Sequence, residues 1–177
     1  MGLNNYTCRD IDKLEWASHW SDVFQSNLMQ SWEYGDAKAL SEGWNPVRYI
    51  FEDSKGRPTA LVQILTKSMS IFGEIARLNR GPLLLVSNPD LSDETLIKLD
   101  IIRALKKIAK EKRWWVFFMA PELSELDFPN EALKLNHLNI RKNIFPWASA
   151  RLCLDVDENS LLAGLKGRWR GALKKSY

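Results

Sequence analysis

The chain has 177 residues, 45% hydrophobic and 27% charged, which is enough to bury a sizeable core without disulfide or metal support. Its 25 basic and 22 acidic residues leave a net charge of +3, too slight for a general nucleic-acid coat. No run approaches the roughly 18 consecutive apolar residues of a membrane span, and the opening MGLNNYTCRD has no apolar stretch behind a basic start, so a cytoplasmic protein is expected.

From Asp10, the stretch DIDKLEWASHWSDVF spaces Ile11, Leu14, Trp16, Trp20, Val23 and Phe24 loosely at helical period. Ser31 is placed to cap a second helix running to about Glu42, so two short helices are expected to open the domain. VRYIFED and TALVQILTK flank the turn SKGRP, which signals a hairpin, and GEIARLNRGPLLL adds a strand ending at Arg80-Gly81-Pro82. Between Asp93 and Lys112, Leu96, Ile97, Ile101, Ala104, Leu105 and Ile108 form one apolar face of a helix. The following WWVFFMAPE is continuously apolar, as in a strand buried on both faces, and ASARLCLDV alternates as another strand. From Glu158 onward Leu161, Leu162, Leu165, Trp169, Ala172 and Leu173 predict one last helix whose apolar stripe closes the core. Helices that alternate with strands in this order indicate an α/β (α+β) fold, one domain over residues 1–177.

Cys8 and Cys153 have no metal-ligand or CxxC spacing and are expected to be reduced and packed, so neither a disulfide nor a metal site is indicated. His19 and His137 sit in unrelated segments, which gives a Ser-His-Asp or Cys-His arrangement no local support. Positive charge gathers at the end: Lys166, Arg168, Arg170, Lys174 and Lys175 fall within the last twelve residues, leaving 20 bases against 22 acids elsewhere. That asymmetry suits a local anion site. Gly164, Gly167 and Gly171 lie among these bases, each costing about 1 kcal/mol in a helix interior against alanine, so a close neighbour or a substrate is expected there. Two further positions draw attention. Tyr34 and Lys38 lie one helical turn apart behind Trp32, and Arg80 stands at a Gly-Pro turn where it could hold an anion bidentately. On spacing alone, Trp32 and Tyr34 serve equally well to pack the helix on a sheet, and Lys38 and Arg80 as ordinary surface charges.

LMQSWEYGDAKALSEGW, NRGP, a buried strand ending in APE, and LKGRWRGALKKS occur in the order found in one family. The sequence resembles, over about residues 10–177, the first half of the FemAB-type enzymes, which look like Gln-Ser-x-x-Trp/Tyr-Gly-x-x-Lys near the start, Pro-Arg-Gly-Pro in the middle and Lys-x-Arg-x-x-(hydrophobic)-x-x-Ala where two similar halves join. The resemblance implies a GNAT-like fold, a mixed and largely antiparallel sheet flanked by helices. It implies transfer of an amino acid from an aminoacyl-tRNA to an amine of a nucleotide- or lipid-linked muropeptide, in peptidoglycan biosynthesis, with peripheral contact to the membrane where the precursor is lipid-linked. No metal or organic cofactor is implied. Lys38 matches the position expected to meet precursor phosphate, and Trp32, Tyr34, Arg80, Arg168 and Arg170 complete the substrate-binding set so implied, with no catalytic residue assigned. Family enzymes are roughly twice as long, and the second GNAT-like half is expected to supply most of the donor side. This chain departs from the pattern at Arg77-Leu78-Asn79, where the family commonly has an aromatic-x-Pro before the arginine. An acyl-CoA-dependent GNAT N-acetyltransferase, as in polysaccharide biosynthesis, shares the fold, but its usual Arg/Gln-x-x-Gly-x-Gly/Ala pyrophosphate loop is not visible. A non-catalytic precursor- or RNA-binding domain is the remaining alternative, kept open by eight tryptophans.

Overall fold

The computed structural model describes residues 6–85, 94–122 and 155–175. The chain separates into two compact units, residues 1–139 and 140–177. In the first, elements run β1 (Tyr6–Asp10), α1 (Lys13–Trp20), a 3-10 turn (Leu28–Gln30), α2 (Trp32–Glu42), β2 (Asn45–Asp53), β3 (Pro58–Ser68), β4 (Glu74–Asn79), β5 (Leu83–Leu84), α3 (Glu94–Glu111) and β6 (Trp114–Ala120). The sheet order is β1-β2-β3-β4-β6 with β5 also on β3, and every pair is antiparallel except β4 with β6. This is the expected mixed, largely antiparallel sheet flanked by helices. Among the described residues no helix is long and apolar enough to cross a membrane.

The expected hairpin forms, with Asp53 Oδ1 accepting from the amides of Lys55 and Arg57 in its turn. Ser31 caps α2 by accepting from the Tyr34 amide at 3.2 Å, and Gly43 ends the helix in the left-handed region at φ 68°. The chain does not open on two helices, because β1 precedes them and pairs with β2. Only part of the 10–24 pattern is helical: α1 stops at Trp20, and Val23 forms a bridge to Leu85. Trp16 is buried there while Leu14 and Phe24 are exposed.

α3 places Ile97, Ile101, Leu105 and Ala109 against Val62, Ile64, Ala76 and Leu78 on one sheet face. Leu96, expected on that face, is 55% exposed, and Leu99 and Ile102 are buried in its place. The opposite face carries Ile11, Trp16, Ile50, Leu61, Leu83 and Leu85. β6 is not buried on both faces as its run of apolar residues predicts: Trp114 is buried, whereas Trp115 and Phe118 are exposed. The reason is coverage, since among the described residues α2 packs on β2 and β3 rather than on β6.

One side chain completes the sheet. β3 pairs with β4 up to Ile64↔Leu78 and with β5 from Leu61↔Leu83, and between them the chain turns through Arg80, Gly81 and a cis Pro82. The fully buried Gln30 amide fills the break, donating from Nε2 to the carbonyls of Gln63 (3.0 Å) and Asn79 (2.7 Å) and accepting at Oε1 from the Gln63 amide (2.8 Å). Glycine is required beside it, because a Cβ on Gly81 would lie 2.8 Å from Gln30 Oε1 and 2.9 Å from Leu78 Cδ1.

In the second unit, the last helix is two: α4 (Glu158–Gly164) and α5 (Gly167–Lys174), interrupted at Leu165 and Lys166, both extended. Asp157 caps α4 by accepting from the Ser160 amide. No α4 residue is buried, and Trp169 and Leu173 are exposed, so the expected apolar stripe is not a buried seam. Gly164 and Gly167 stand at helix ends, where glycine costs little, and a Cβ on any of the three glycines would meet nothing within 4 Å. The strand expected at ASARLCLDV, except for Asp155 and Val156, and also Cys153 and His137, lie outside the described residues.

Two outcomes are expected. Gln30→Leu leaves three buried backbone groups unpaired and should lower stability by roughly 3 to 5 kcal/mol in equilibrium urea unfolding; an unchanged midpoint would contradict the role given to Gln30. Burial, with Asp10 and Glu111 nearby, pushes the free Cys8 thiol up to about 11. At pH 8 it should alkylate far more slowly in the folded chain than in urea, followed at the Cys8 peptide by mass spectrometry. The raised value also makes its contribution to stability complete below the unfolded thiol's pKa and lost as the pH climbs toward 11.

Candidate functional site

The QSWEYGD motif first builds a scaffold. Arg48, with its side chain 9% exposed, stacks 3.6 Å from the Trp32 ring centroid and donates to Gln63 Oε1 (2.8 Å), the Trp32 carbonyl (2.9 Å) and Asp36 Oδ1 (2.7 Å). Burial lowers the Arg48 pKa against the opposing pull of Asp36. Gly35 lets helix and sheet approach, since a Cβ there would overlap Gln63 Oε1 and lie 2.7 Å from Arg48 Nη2. Trp32 meets Trp16 edge-on at 5.9 Å between centroids. Trp32 is therefore held in the packing of α2 on the sheet.

With α2 fixed, its Tyr34–Lys38–Glu42 edge runs beside β3 and β4. Gln30 is bonded to Asn79 at one end, and Lys67 Nζ donates to the Glu42 carbonyl (2.7 Å) at the other. Lys38 pairs with Glu42 and stands 5.6 Å from the Tyr34 ring centroid. Its pKa is raised chiefly by the hydrogen bond to Glu42, and Arg77 is close enough to oppose that rise. Glu42 also accepts from Trp44 Nε1 (3.2 Å), whose ring centroid is 5.7 Å from Lys67 Nζ.

Arg77 is the residue that spacing did not single out as a ligand contact. It lies on β4 between Leu65 of β3 and Phe118 of β6, and it is exposed although flanked by strands on both sides. Its neighbours in sequence, Ala76 and Leu78, point into the α3-side core. Arg77 Nε donates to Asn79 Oδ1 at 2.7 Å, and among the described residues no carboxylate pairs with its guanidinium. Lys38, Lys67, Arg77 and Tyr34 thus edge a basic groove with Phe118 on the far side, suited to a phosphate or carboxylate next to an apolar group. An arginine in the middle of an apolar strand was the available sign.

Arg80 lies elsewhere, at the carboxyl ends of β4 and β6. Its backbone is left-handed at φ 54°, held by its amide donating to the Ala120 carbonyl (2.8 Å) and its carbonyl accepting from Asn27 Nδ2 (3.0 Å). Its guanidinium donates to Glu122 Oε1 at 2.8 Å, in a small cleft that Phe24, Pro82, Glu94 and Lys98 help to line. Lys98 pairs with Glu94 there. Arg168 and Arg170 belong to the second unit, where Arg168 is exposed and Arg170 donates to the Leu165 carbonyl (3.2 Å) at the break between α4 and α5. Of the expected set, then, Tyr34 and Lys38 share the groove, Trp32 supports it and Arg80 occupies a separate cleft. Among the described residues no group of His, Cys, Asp and Glu is arranged to hold a metal.

No protein-family model and no curated protein matches the chain. It is similar in backbone course to solved structures that include a ribosomal-protein-alanine N-acetyltransferase from Brucella melitensis biovar Abortus 2308, at 12% identity and TM-score 0.46 over 85% of this chain and 100% of that one. Glucosamine-6-phosphate N-acetyltransferase from Arabidopsis thaliana is similar at 7% identity and TM-score 0.47, over 86% and 100%. A transcriptional regulator from Bacillus halodurans C-125 is similar at 11% identity and TM-score 0.48, over 82% and 99%. At these scores the likeness concerns the backbone alone and carries no information on activity. None of the three singles out the FemAB-type family.

Packing and groove residues should separate in a stability measurement. Trp32→Ala is expected to cost about 2 kcal/mol or more by urea unfolding, from lost packing and the lost Arg48 contact. Lys38→Met and Tyr34→Phe should stay within about 0.5 kcal/mol of the parent.

Proposed function

We propose that the chain is an N-acyltransferase domain whose α2 groove holds a phosphate-bearing acceptor while an amine of that acceptor takes the acyl group. The observation that carries this reading is Arg77, exposed in mid-sheet on the open face beside Lys38. An acceptor amine, with an ordinary pKa of about 10.4, must lose a proton and attack an acyl carbonyl. The new C–N bond forms as the carbonyl's bond to its oxygen or sulfur leaving group breaks. An activated acyl donor needs chiefly alignment and stabilisation of the oxyanion, which a groove that fixes the acceptor by its phosphate would assist.

In its finer form the reading follows the motif resemblance: a cytoplasmic enzyme of peptidoglycan biosynthesis, with a muropeptide precursor as acceptor and aminoacyl-tRNA as donor. A second GNAT-like half would supply the donor side, and Arg168 and Arg170 belong to the substrate-binding set that the resemblance implies. A second reading, acyl-CoA-dependent N-acetyl transfer, is favoured by the Arg80 cleft. It lies at the carboxyl ends of two parallel strands, where α/β sheets commonly take phosphorylated ligands, and it carries Arg80 and Lys98.

Calorimetric titration with a UDP-linked muropeptide and, separately, with acetyl-CoA tests both. Micromolar muropeptide binding that weakens at least tenfold in Lys38→Ala and in Arg77→Ala is expected. No heat, or affinity unmoved by either change, would overturn the groove reading. Acetyl-CoA binding that Arg80→Ala abolishes would put the acyl-CoA reading first.

A further inference from the structure

Arg9, Arg48, Arg57, Arg80 and Arg103 each meet a carboxylate of Asp or Glu. Arg77 in the α2 groove instead donates from Nε to the Asn79 amide oxygen at 2.7 Å. An aspartate has the shape of an asparagine and accepts more strongly from a guanidinium, so Asp at position 79 would close the tighter pair. The amide keeps that geometry without the charge. Its position is fixed: Asn79 is 6% exposed, and its carbonyl accepts from the buried Gln30 Nε2 at 2.7 Å. It lies two residues after Arg77 on β4 and so on the same face of the strand, while Ala76 and Leu78 face the α3-side core. Chemistry settles which way the amide faces, because a guanidinium has only donors and must meet Oδ1. Nδ2, on the same carbon as Oδ1, then stands beside the anchored edge of the guanidinium, and among the described residues it has no acceptor. Nη1 and Nη2 of Arg77 are left to face an anion.

We propose that Asn79 makes the groove selective for a phosphate monoester or diphosphate over a carboxylate, as a positioning residue for Arg77 and as a further donor to the anion. The inference rests on the groove reading given above and names the residue that sets its ligand class. A carboxylate has two oxygens, and the Arg77 fork meets both. A terminal phosphoryl group or a diphosphate presents more, and Nδ2 meets one of them. Being neutral, the amide adds this contact and holds the guanidinium without cancelling its charge. Because Nε is anchored in advance, an arriving anion has less left to order.

Calorimetry of the full chain with pyrophosphate and, separately, with malonate at matched ionic strength would compare the parent with Asn79→Ala, Asn79→Asp and Arg77→Ala. In Asn79→Ala the ratio of pyrophosphate to malonate affinity should fall about tenfold, the size of one hydrogen bond to a charged group. Asn79→Asp, which gives Arg77 a carboxylate partner, should weaken pyrophosphate binding at least tenfold. Urea midpoints show that the variants fold, and Asn79→Leu, of nearly the same size, replaces Asn79→Ala if that midpoint collapses. A residue that only held Arg77 in place would lower both affinities alike, so an unchanged ratio would overturn the selectivity. Asn79→Asp binding pyrophosphate as the parent does would sink the positioning role. In either case loss of binding in Arg77→Ala leaves the groove reading standing. Pyrophosphate that the parent ignores, or that Arg77→Ala binds equally well, would remove the groove reading and this inference with it.

Discussion

The first unit depends on a side-chain amide acting as backbone. β4 cannot run straight into β5, because the turn at Arg80-Gly81-Pro82 takes the chain out of register with β3 and leaves Gln63 and Asn79 without ladder partners. An unpaired buried N–H or C=O costs about 1 to 3 kcal/mol, and three such groups would threaten the stability of a small domain. The Gln30 carboxamide has one acceptor and two donor hydrogens on one rigid plane, and it meets all three groups. Asn27 holds the turn itself by donating to Arg80 O, while its Oδ1 accepts from the Gln30 amide. The short segment before α2 is thereby tied to the break in the sheet at several points.

The same tie positions the groove. Gln30 fixes the start of α2, Arg48 clamps its first turn through the Trp32 ring and carbonyl, and Gly35 lets the helix sit close to Gln63. Tyr34 in that first turn and Lys38 one turn further on then fall on the same edge of α2. Asn79 connects the two systems: its backbone carbonyl accepts from Gln30 and its side chain accepts from Arg77 Nε, so the scaffold that closes the sheet also orients the guanidinium. Positioning through an immobilised neighbour is what a binding arginine requires, because a guanidinium that is already oriented loses less freedom when an anion arrives.

Much of this was legible in the sequence where local chemistry decides the outcome. Ser31 as a cap, Gly43 as a stop and the Gly-containing turn between β2 and β3 are short-range signals, and α3 follows from its 3.6-residue period. β1 was missed because YTCRD gives no clean alternation, and it is a strand only through pairing with β2. β6 departs from its apolar pattern because periodicity reports apolarity and not what covers it: Trp115 and Phe118 are apolar yet exposed. The apolar spacing from Glu158 carries through Leu165 and so predicts one helix, although the backbone is extended there and the helix is two. Gln30 and Asn79 stand in the quoted motifs, but their structural role has no local signal, since nothing at a Gln or Asn position says that its partner is a strand break 33 or 49 residues away.

The basic residues of the two candidate sites differ in what an incoming anion must displace. Lys38 is engaged by Glu42, and Arg80 by Glu122. An anion reaching either must compete with a carboxylate already in place, and exposed pairs of this kind contribute only about 0 to 1 kcal/mol, so exchange is cheap but the gain is small. Arg77 is anchored by a neutral amide through Nε, and among the described residues no carboxylate pairs with its charge. A phosphate there gains a charge-assisted, potentially bidentate contact without breaking an ion pair. Lys38 lies within the electrostatic reach of Arg77, whose like charge opposes the rise in the Lys38 pKa, and an anion bound at Arg77 would ease that opposition. The arginine at which this chain departs from the resembled motif is therefore the one whose charge is most available, and Lys38, the residue that matches the motif, is its neighbour in the groove.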